Sequence, residues 1–561
     1  MRRIFILMAF LSVGLLGSAQ VFNWANTFES GGKSSVYQTL VNSNGDIYVA
    51  GHFSGSTDFD PGDGTLILTS YGNTDAYVAK LNANGNILWA KQFGGTDADY
   101  IRGMDIDPSG NIYCTGSFSG TANFDPGSEN AYYTSYGGED MFIAELDEDG
   151  NYLWSGHMGS ALDDHSVSIK TTVSGNIYIS GYYMGVADVN PSDTAEFYLT
   201  TNNQATFVEK LNVDHELLWA KSMGGAAFDY CQSMCLDESE NIYTCGMFGG
   251  IGDFDPGDGA FYLYAVGDRD IFISKLNSDG EFTWAISMGG PEGESAQSIA
   301  YDGDGNVYVC GNFKGTVDFD PDTLNYYMTS FGDNDIFVGK FDVNSNLLWV
   351  KQLGGELGDS PYALSLDNED NVYVTGLFEG TADFNPGAEN YYLTSLGDYD
   401  AFVSKINTNG DFVWAADMGG TLLDRGLAIT NTDGNELFVG GLFTGLADFD
   451  PSDDTFYLNG TGEYNSFLTK LNTDLLGTPD FMGNEYSIYP NPTHSAIYIK
   501  FPASKPSVNI AVFNILGKMI LERDYNEQNL LKLDLKGGKG LFLVQVTKMD
   551  GSVKTFKVIK Q

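Results

Sequence analysis

Carboxylates two residues apart recur along the chain. Asp58-Phe59-Asp60-Pro61-Gly62 is followed by Asp253-Phe254-Asp255, Asp318-Phe319-Asp320 and Asp448-Phe449-Asp450, with amide-bearing echoes at Asn123-Phe124-Asp125, Asp188-Val189-Asn190 and Asp383-Phe384-Asn385. In extended backbone, residues two apart point the same way, so each pair could ligate a hard cation such as calcium, which takes about six to eight oxygens. The candidate metal ligands are Asp58, Asp60, Asp253, Asp255, Asp318, Asp320, Asp448 and Asp450. The competing reading is a turn in which the Asp oxygens accept backbone N–H bonds. Recurrence at every copy, and the lack of an Asp-x-Asp-x-Asp-Gly loop with a distal Glu, favour the turn.

A second column of acids, Asp99, Asp164, Asp229, Glu294, Asp359 and Asp424, recurs at a fixed step, with Ser34 as the exception. Together the two sets predict one intensely negative face. Carboxylate pairs that occur everywhere on such a face cannot by themselves identify a glycosidase. The histidines, His52, His157, His165, His215 and His494, are scattered, and no Gly-x-Ser-x-Gly, His-Glu-x-x-His or phosphate loop occurs. No catalytic residue and no organic cofactor is assigned. Cys114, Cys231, Cys235, Cys245 and Cys310 form no repeating framework. Cys231 and Cys235 would lie ~13 Å apart along one strand, beyond the ~7 Å Cα limit of a disulfide. They read as small buried hydrophobes.

The 561 residues carry a formal net charge of −47. Nucleic acid is thereby excluded as a partner, because a polyanion repels it rather than releasing its counterions. Arg2 and Arg3 precede an apolar run from Ile4 to Leu16 and the small residues Gly17, Ser18 and Ala19, the order of a signal peptide over 1–19. That run is shorter than the ~20 residues of a membrane span, so the mature chain is expected to be exported without a transmembrane segment. The charge then divides sharply. Residues 20–485 hold 15 Lys+Arg against 70 Asp+Glu, a net −55, whereas 486–561 hold 11 against 5, a net +6. Such asymmetry marks separate modules: 20–477, a linker at 478–484, and 485–561.

The elements that must carry these residues follow from a repeat. The seven tryptophans, Trp24, Trp89, Trp154, Trp219, Trp284, Trp349 and Trp414, stand 65 residues apart throughout, the signature of a repeat architecture. An aromatic-aliphatic-x-(Lys/Glu)-(Leu/Ile/Phe) motif keeps the same step, from Tyr77–Leu81 to Phe467–Leu471. Between Tyr100 and Gly159, apolar or alternating runs at 100–106, 112–118, 141–146 and 152–158 read as strands A to D. Turn residues at Pro108-Ser109-Gly110-Asn111 and Glu148-Asp149-Gly150-Asn151 join A to B and C to D. The N-terminus supplies a lone strand D, 21–28, and the last unit stops after strand C at Leu471. Pairing of 21–28 with 466–471 would close an all-β, seven-bladed β-propeller of 65-residue blades with no open edge. With strand A innermost, the column Thr39, Met104, Ile169, Met234, Ile299, Leu364 and Ile429 packs between blades, as does the Trp column.

Units such as Ile299-Ala300-Tyr301-Asp302-Gly303-Asp304-Gly305-Asn306-Val307-Tyr308-Val309 resemble the bacterial seven-bladed β-propeller repeat family over 21–476. This implies a fold, not an activity. The tail, through Tyr489-Pro490-Asn491-Pro492, Asn514-Ile515-Leu516-Gly517-Lys518, Gly540-Leu541-Phe542-Leu543-Val544 and Lys557-Val558-Ile559-Lys560, resembles the C-terminal sorting domain of type IX secretion substrates. That resemblance implies a small β-sandwich, handling by the type IX machinery, and release or attachment at the outer-membrane surface of a gram-negative bacterium. The expected function is a secreted or surface binding or scaffold protein whose acidic loop face takes a protein or glycan ligand or a cation. The rivals are a secreted hydrolase or lyase using carboxylates at the channel mouth, and a structural or adhesion component.

Overall fold

The computed structural model describes residues 22–473, apart from 128–130, 193, 226, 322–324, 433–434 and 453, and the strands of the tail between 487 and 560. The expected signal peptide, 1–19, and linker, 478–484, lie outside the described residues. The chain forms two compact units, Met1–Leu476 and Gly477–Gln561. Both are built from antiparallel strands, and the described residues contain no helix.

The first unit consists of seven four-stranded antiparallel repeats. In the second repeat, strand A is Asp99–Ile106, B is Ile112–Asn123, C is Tyr132–Leu146 and D is Tyr152–Met158, paired in that order. The Asx-type turns read from sequence close the hairpins: Asp107 Oδ1 accepts the N–H groups of Ser109 and Asn111 at 2.8 Å each. The seventh repeat takes its D strand from the start of the chain. Phe22–Ser30 pairs with Asn465–Asn472, from Phe22 opposite Leu471 to Phe28 opposite Ser466.

Two features depart from the four-strand reading. First, the B-to-C connection is itself a short hairpin, Ser56–Asp58 with Ile67–Thr69 in the first repeat. Its first strand pairs with the end of the preceding D strand in every repeat, as in Glu29↔Asp58, Gly94↔Asn123, Gly224↔Asp253 and Gly354↔Asp383. Hydrogen bonds therefore join each repeat to the next. Second, strand A carries a β-bulge at one position in all seven repeats, between Val36 and Gln38 and at each equivalent step. A bulge re-aims the side chain of its extra residue.

The repeating columns explain themselves as packing. Met104, Ile169 and Met234 are buried in clusters that span adjacent repeats. Trp89, Trp284 and Trp349 each donate indole Nε1–H to a carbonyl 59 residues on, in the next repeat's C-to-D turn. Gly150 of that turn is required there: it has φ +74°, and a Cβ on it would come 3.1 Å from Trp89. The lysine of the C-strand motif lies over the ring on its own B strand, as Lys275 does over Tyr243 at 4.6 Å. Such a cation–π contact lets the buried stem of the lysine end on a charge-tolerant surface. All five cysteines are free and buried.

The tail contains a three-stranded sheet, Ser487–Tyr489, Ala496–Lys500 and Leu530–Asp534, and a four-stranded one, Met519–Tyr525, Val508–Asn514, Gly540–Lys548 and Val553–Lys560. Ile497, Ile499 and Leu533 from the first share one core with Ile510, Val512 and Val544 from the second.

Candidate functional site

The carboxylates singled out from sequence hold the scaffold together. Asp99, Asp164, Asp229, Glu294, Asp359 and Asp424 are all no more than 1% exposed, which corrects the expectation that this column makes a negative platform. The physical reason is backbone satisfaction. Asp359 Oδ2 accepts the Gly355 N–H at 2.7 Å and Oδ1 the Glu379 N–H at 3.2 Å, tying the D-to-A connection to the end of strand B. Asp229 and Asp424 do the same with Gly225 and Gly249 and with Gly420 and Thr444. Buried N–H groups need acceptors, and a carboxylate satisfies two at once.

A second buried carboxyl faces several of these from the start of strand C. Asp75 Oδ2 accepts the Tyr71 N–H at 3.0 Å, and Asp335 and Asp400 repeat the arrangement with Phe331 and Leu396. Gly94, φ +150°, lies between the two: an added Cβ would sit 2.7 Å from both Asp75 Cγ and Asp99 Oδ2. Burial pushes Asp99 up to about 8 and Asp359, Asp400 and Asp424 up to about 7. The facing carboxyl adds to the effect at Asp99, Asp359 and Asp424, while the N–H bonds oppose it. Some of the formal negative charge is therefore neutralised by protons near neutral pH.

The candidate metal ligands cap their own loops. Asp58 Oδ1 accepts the N–H groups of Asp60 at 3.1 Å and Leu66 at 2.8 Å, and Asp60 Oδ1 accepts that of Gly62. Asp253 with Asp255, and Asp448 with Asp450, repeat all three bonds, and Asp318 accepts from Asp320 and Tyr326. The intervening Phe59, Phe254, Phe319 and Phe449 are fully buried. Among the described residues no three His, Cys, Asp or Glu side chains gather as a metal site requires.

Sequence reasoning missed the site that the scaffold builds. The seven A strands line a central cavity of about 1030 Å³. The bulged residues Tyr37, Arg102, Val167, Gln232, Gln297, Tyr362 and Leu427 all border it. They share one place in the repeat, yet their types differ from copy to copy. Residue type also varies in the column of Tyr100, His165, Tyr230 and Arg425 and in the one containing Glu139, Arg269, Tyr399 and Tyr464, of which Tyr230, Arg269 and Arg425 line the cavity. Residues 20–485 contain three arginines, Arg102, Arg269 and Arg425, and all three line this cavity.

Their surroundings are aromatic. The Arg102 guanidinium lies over the rings of Tyr37 at 4.9 Å and Tyr100 at 5.5 Å. Tyr182 meets Tyr230 edge-on at 4.8 Å. His52 is hydrogen-bonded to Tyr464 Oη at 3.0 Å and to Ser35 Oγ at 3.1 Å, and burial, with Arg102 and Lys33 nearby, lowers it to about 3. Among the described residues none of the three arginines lies within ion-pair distance of a carboxylate, whereas Lys33, Lys210 and Lys470 do. Arg269 Nη1 meets Met247 Sδ at 3.6 Å, and Arg425 Nε is buried without a hydrogen-bond partner.

Residues 487–561 match the secretion system C-terminal sorting domain, and residues 88–124 and 348–377 match the β-propeller repeat. An uncharacterized WD repeat-containing protein of Acanthamoeba polyphaga mimivirus is 22% identical over an alignment of 502 residues that covers 75% of this chain and 36% of that protein. The regulatory protein FlaEY of Caulobacter vibrioides is 26% identical over 145 residues, 26% of this chain and 15% of its own length. The chain thus spans well under half of these relatives. The sorting domain places the protein on a route of secretion to the cell surface or beyond, and among the described residues no helix is long and apolar enough to cross a membrane. The chain carries β-propeller repeats at 88–124 and 348–377 and a type IX secretion sorting domain at 487–561.

Proposed function

We propose that residues 20–477 form a closed seven-bladed β-propeller that acts as a binding module, exported by the type IX route through the β-sandwich at 485–561 to the outer-membrane surface of a gram-negative cell or beyond it. The ligand site is the mouth of the central channel rather than the acidic loops. One observation carries this reading: the columns that stay constant across repeats are spent on packing and backbone bonds, whereas the variable bulge column borders one cavity in all seven repeats. A fold needs the first kind of column. Only a ligand without sevenfold symmetry needs the second.

In this reading Asp58, Asp60, Asp253, Asp255, Asp318, Asp320, Asp448 and Asp450 serve their own loops, and calcium is not required for folding. The test is a glycan and protein array probed with the full chain and with a Tyr37→Ala/Tyr362→Ala variant. Capture by the first and loss by the second supports the channel site. Capture that survives in the variant moves the site elsewhere.

A further inference from the structure

The protein is strongly acidic, so an arginine within it would ordinarily find a carboxylate. Most of its lysines do, as Lys80 with Asp46 at 3.1 Å and Lys405 with Asp367 at 2.9 Å. Arg102, Arg269 and Arg425 come from different repeats and different columns of the repeat, yet all reach one cavity and none has an anionic partner among the described residues. Leaving the buried Arg425 Nε unsatisfied is costly in the free protein. Two of the nearby acids are engaged elsewhere. Glu139 accepts from Ser117 Oγ at 2.8 Å and sits 3.5 Å from His165, and Glu463 pairs with Lys33.

Resting on the channel-mouth reading above, we infer that the ligand carries an oxyanion, a carboxylate or a sulfate, on a saccharide. Guanidinium groups bind planar and tetrahedral oxyanions through paired N–H donors. Arg102 covers a face of Tyr37 and of Tyr100, and the tyrosine hydroxyls beside the guanidinium suit the hydroxyls of a sugar ring. The surrounding carboxylates do not forbid this. Charges farther than about 8 Å are screened at physiological salt, so the arginines set the local potential inside the mouth. They do disfavour a densely charged polymer, whose other groups would lie over the acidic loops. An acidic residue flanked by neutral sugars fits best.

The test is titration calorimetry on the full chain with three probes: a trisaccharide of one galacturonate between two galactoses, a monosulfated galactotriose and neutral galactotriose. One of the two acidic trisaccharides is expected to bind at least tenfold more tightly than the neutral one, and which of them does identifies the oxyanion. Binding should weaken on raising NaCl from about 50 to 500 mM. Arg102→Gln and Arg425→Gln should each lose about tenfold or more. Equal binding of the neutral sugar, or no binding of either acid, overturns the inference. So do arginine variants that melt as the wild type and bind undiminished. In each of those cases the channel-mouth reading stands or falls on the tyrosine variant and the array.

Discussion

The joints between repeats and the mouth of the channel use the same residue classes to opposite ends. At the joints, carboxylates are buried, recur from copy to copy with Ser34 as the exception, and accept backbone N–H groups, as Asp359 does from Gly355 and Glu379. At the mouth, charged and aromatic groups are variable and leave donors unused, as Arg425 does. In a repeat protein, a polar residue that recurs is evidence about the fold. One that appears once, in a column free to vary, is evidence about function.

The largest effect expected from breaking a joint comes from deleting residues 22–30. This removes the partner of Asn465–Asn472 and the buried Phe22 and Phe28, each Phe worth about 3 kcal/mol or more, and exposes a long strand edge. Size-exclusion chromatography should show aggregate in place of monomer. Gly94→Ala is next. Its Cβ would collide with both Asp75 and Asp99 at a backbone angle few side chains tolerate, so denaturant melts should show a loss of about 2–4 kcal/mol.

The facing carboxyl pairs make a pH prediction. Asp99, Asp359, Asp400 and Asp424 have folded values of about 7–8, above the ~3.9 of an unfolded Asp. The folded protein therefore binds more protons than the unfolded one between these limits. Their contribution is fully present below about pH 4 and is lost as the pH rises to about 8. Thermal melts should fall over that window as pH increases. Asp99→Asn, which keeps the acceptor for Gly95 but cannot ionise, should flatten the slope and raise the melting temperature at about pH 8.5. The smallest effect belongs to the Asp-x-Asp loops: calcium, magnesium and sodium at matched ionic strength should shift the melt equally, within about 1 °C. A calcium-specific shift lost on changing Asp58, Asp60, Asp318 and Asp320 together would return these loops to the class of binding sites.

Much of the scaffold was legible in the sequence. The tryptophan step, the hairpin turns and the lone N-terminal strand led to an expected pairing of 21–28 with 466–471, and Phe22–Ser30 does pair with Asn465–Asn472. The site was not, and the reason is physical. A bulge present in all seven A strands adds one residue to every repeat, so it leaves the 65-residue step unchanged and no trace in the spacing. Tyr37 and Arg102 stand out only as a column whose residue type changes. The acid column was misread for a related cause: an Asp looks the same in sequence whether solvated or buried against N–H groups. The glycine four residues before Asp99, Asp229, Glu294, Asp359 and Asp424 was the available sign that backbone packs closely there.

The contrast between joint and mouth is tested most directly by melting and ligand capture measured together on two variants, Arg102→Gln/Arg425→Gln and Asp359→Ala. The channel variant should melt within about 2 °C of the wild type and lose capture, because it removes no hydrogen bond or ion pair, only the Arg102 contacts with Tyr37 and Tyr100. The joint variant should melt several degrees lower, having stranded two buried N–H groups at about 1–3 kcal/mol each, and should still capture ligand below its transition. A channel variant that unfolds early while capture persists would contradict the assignment of function to the variable columns.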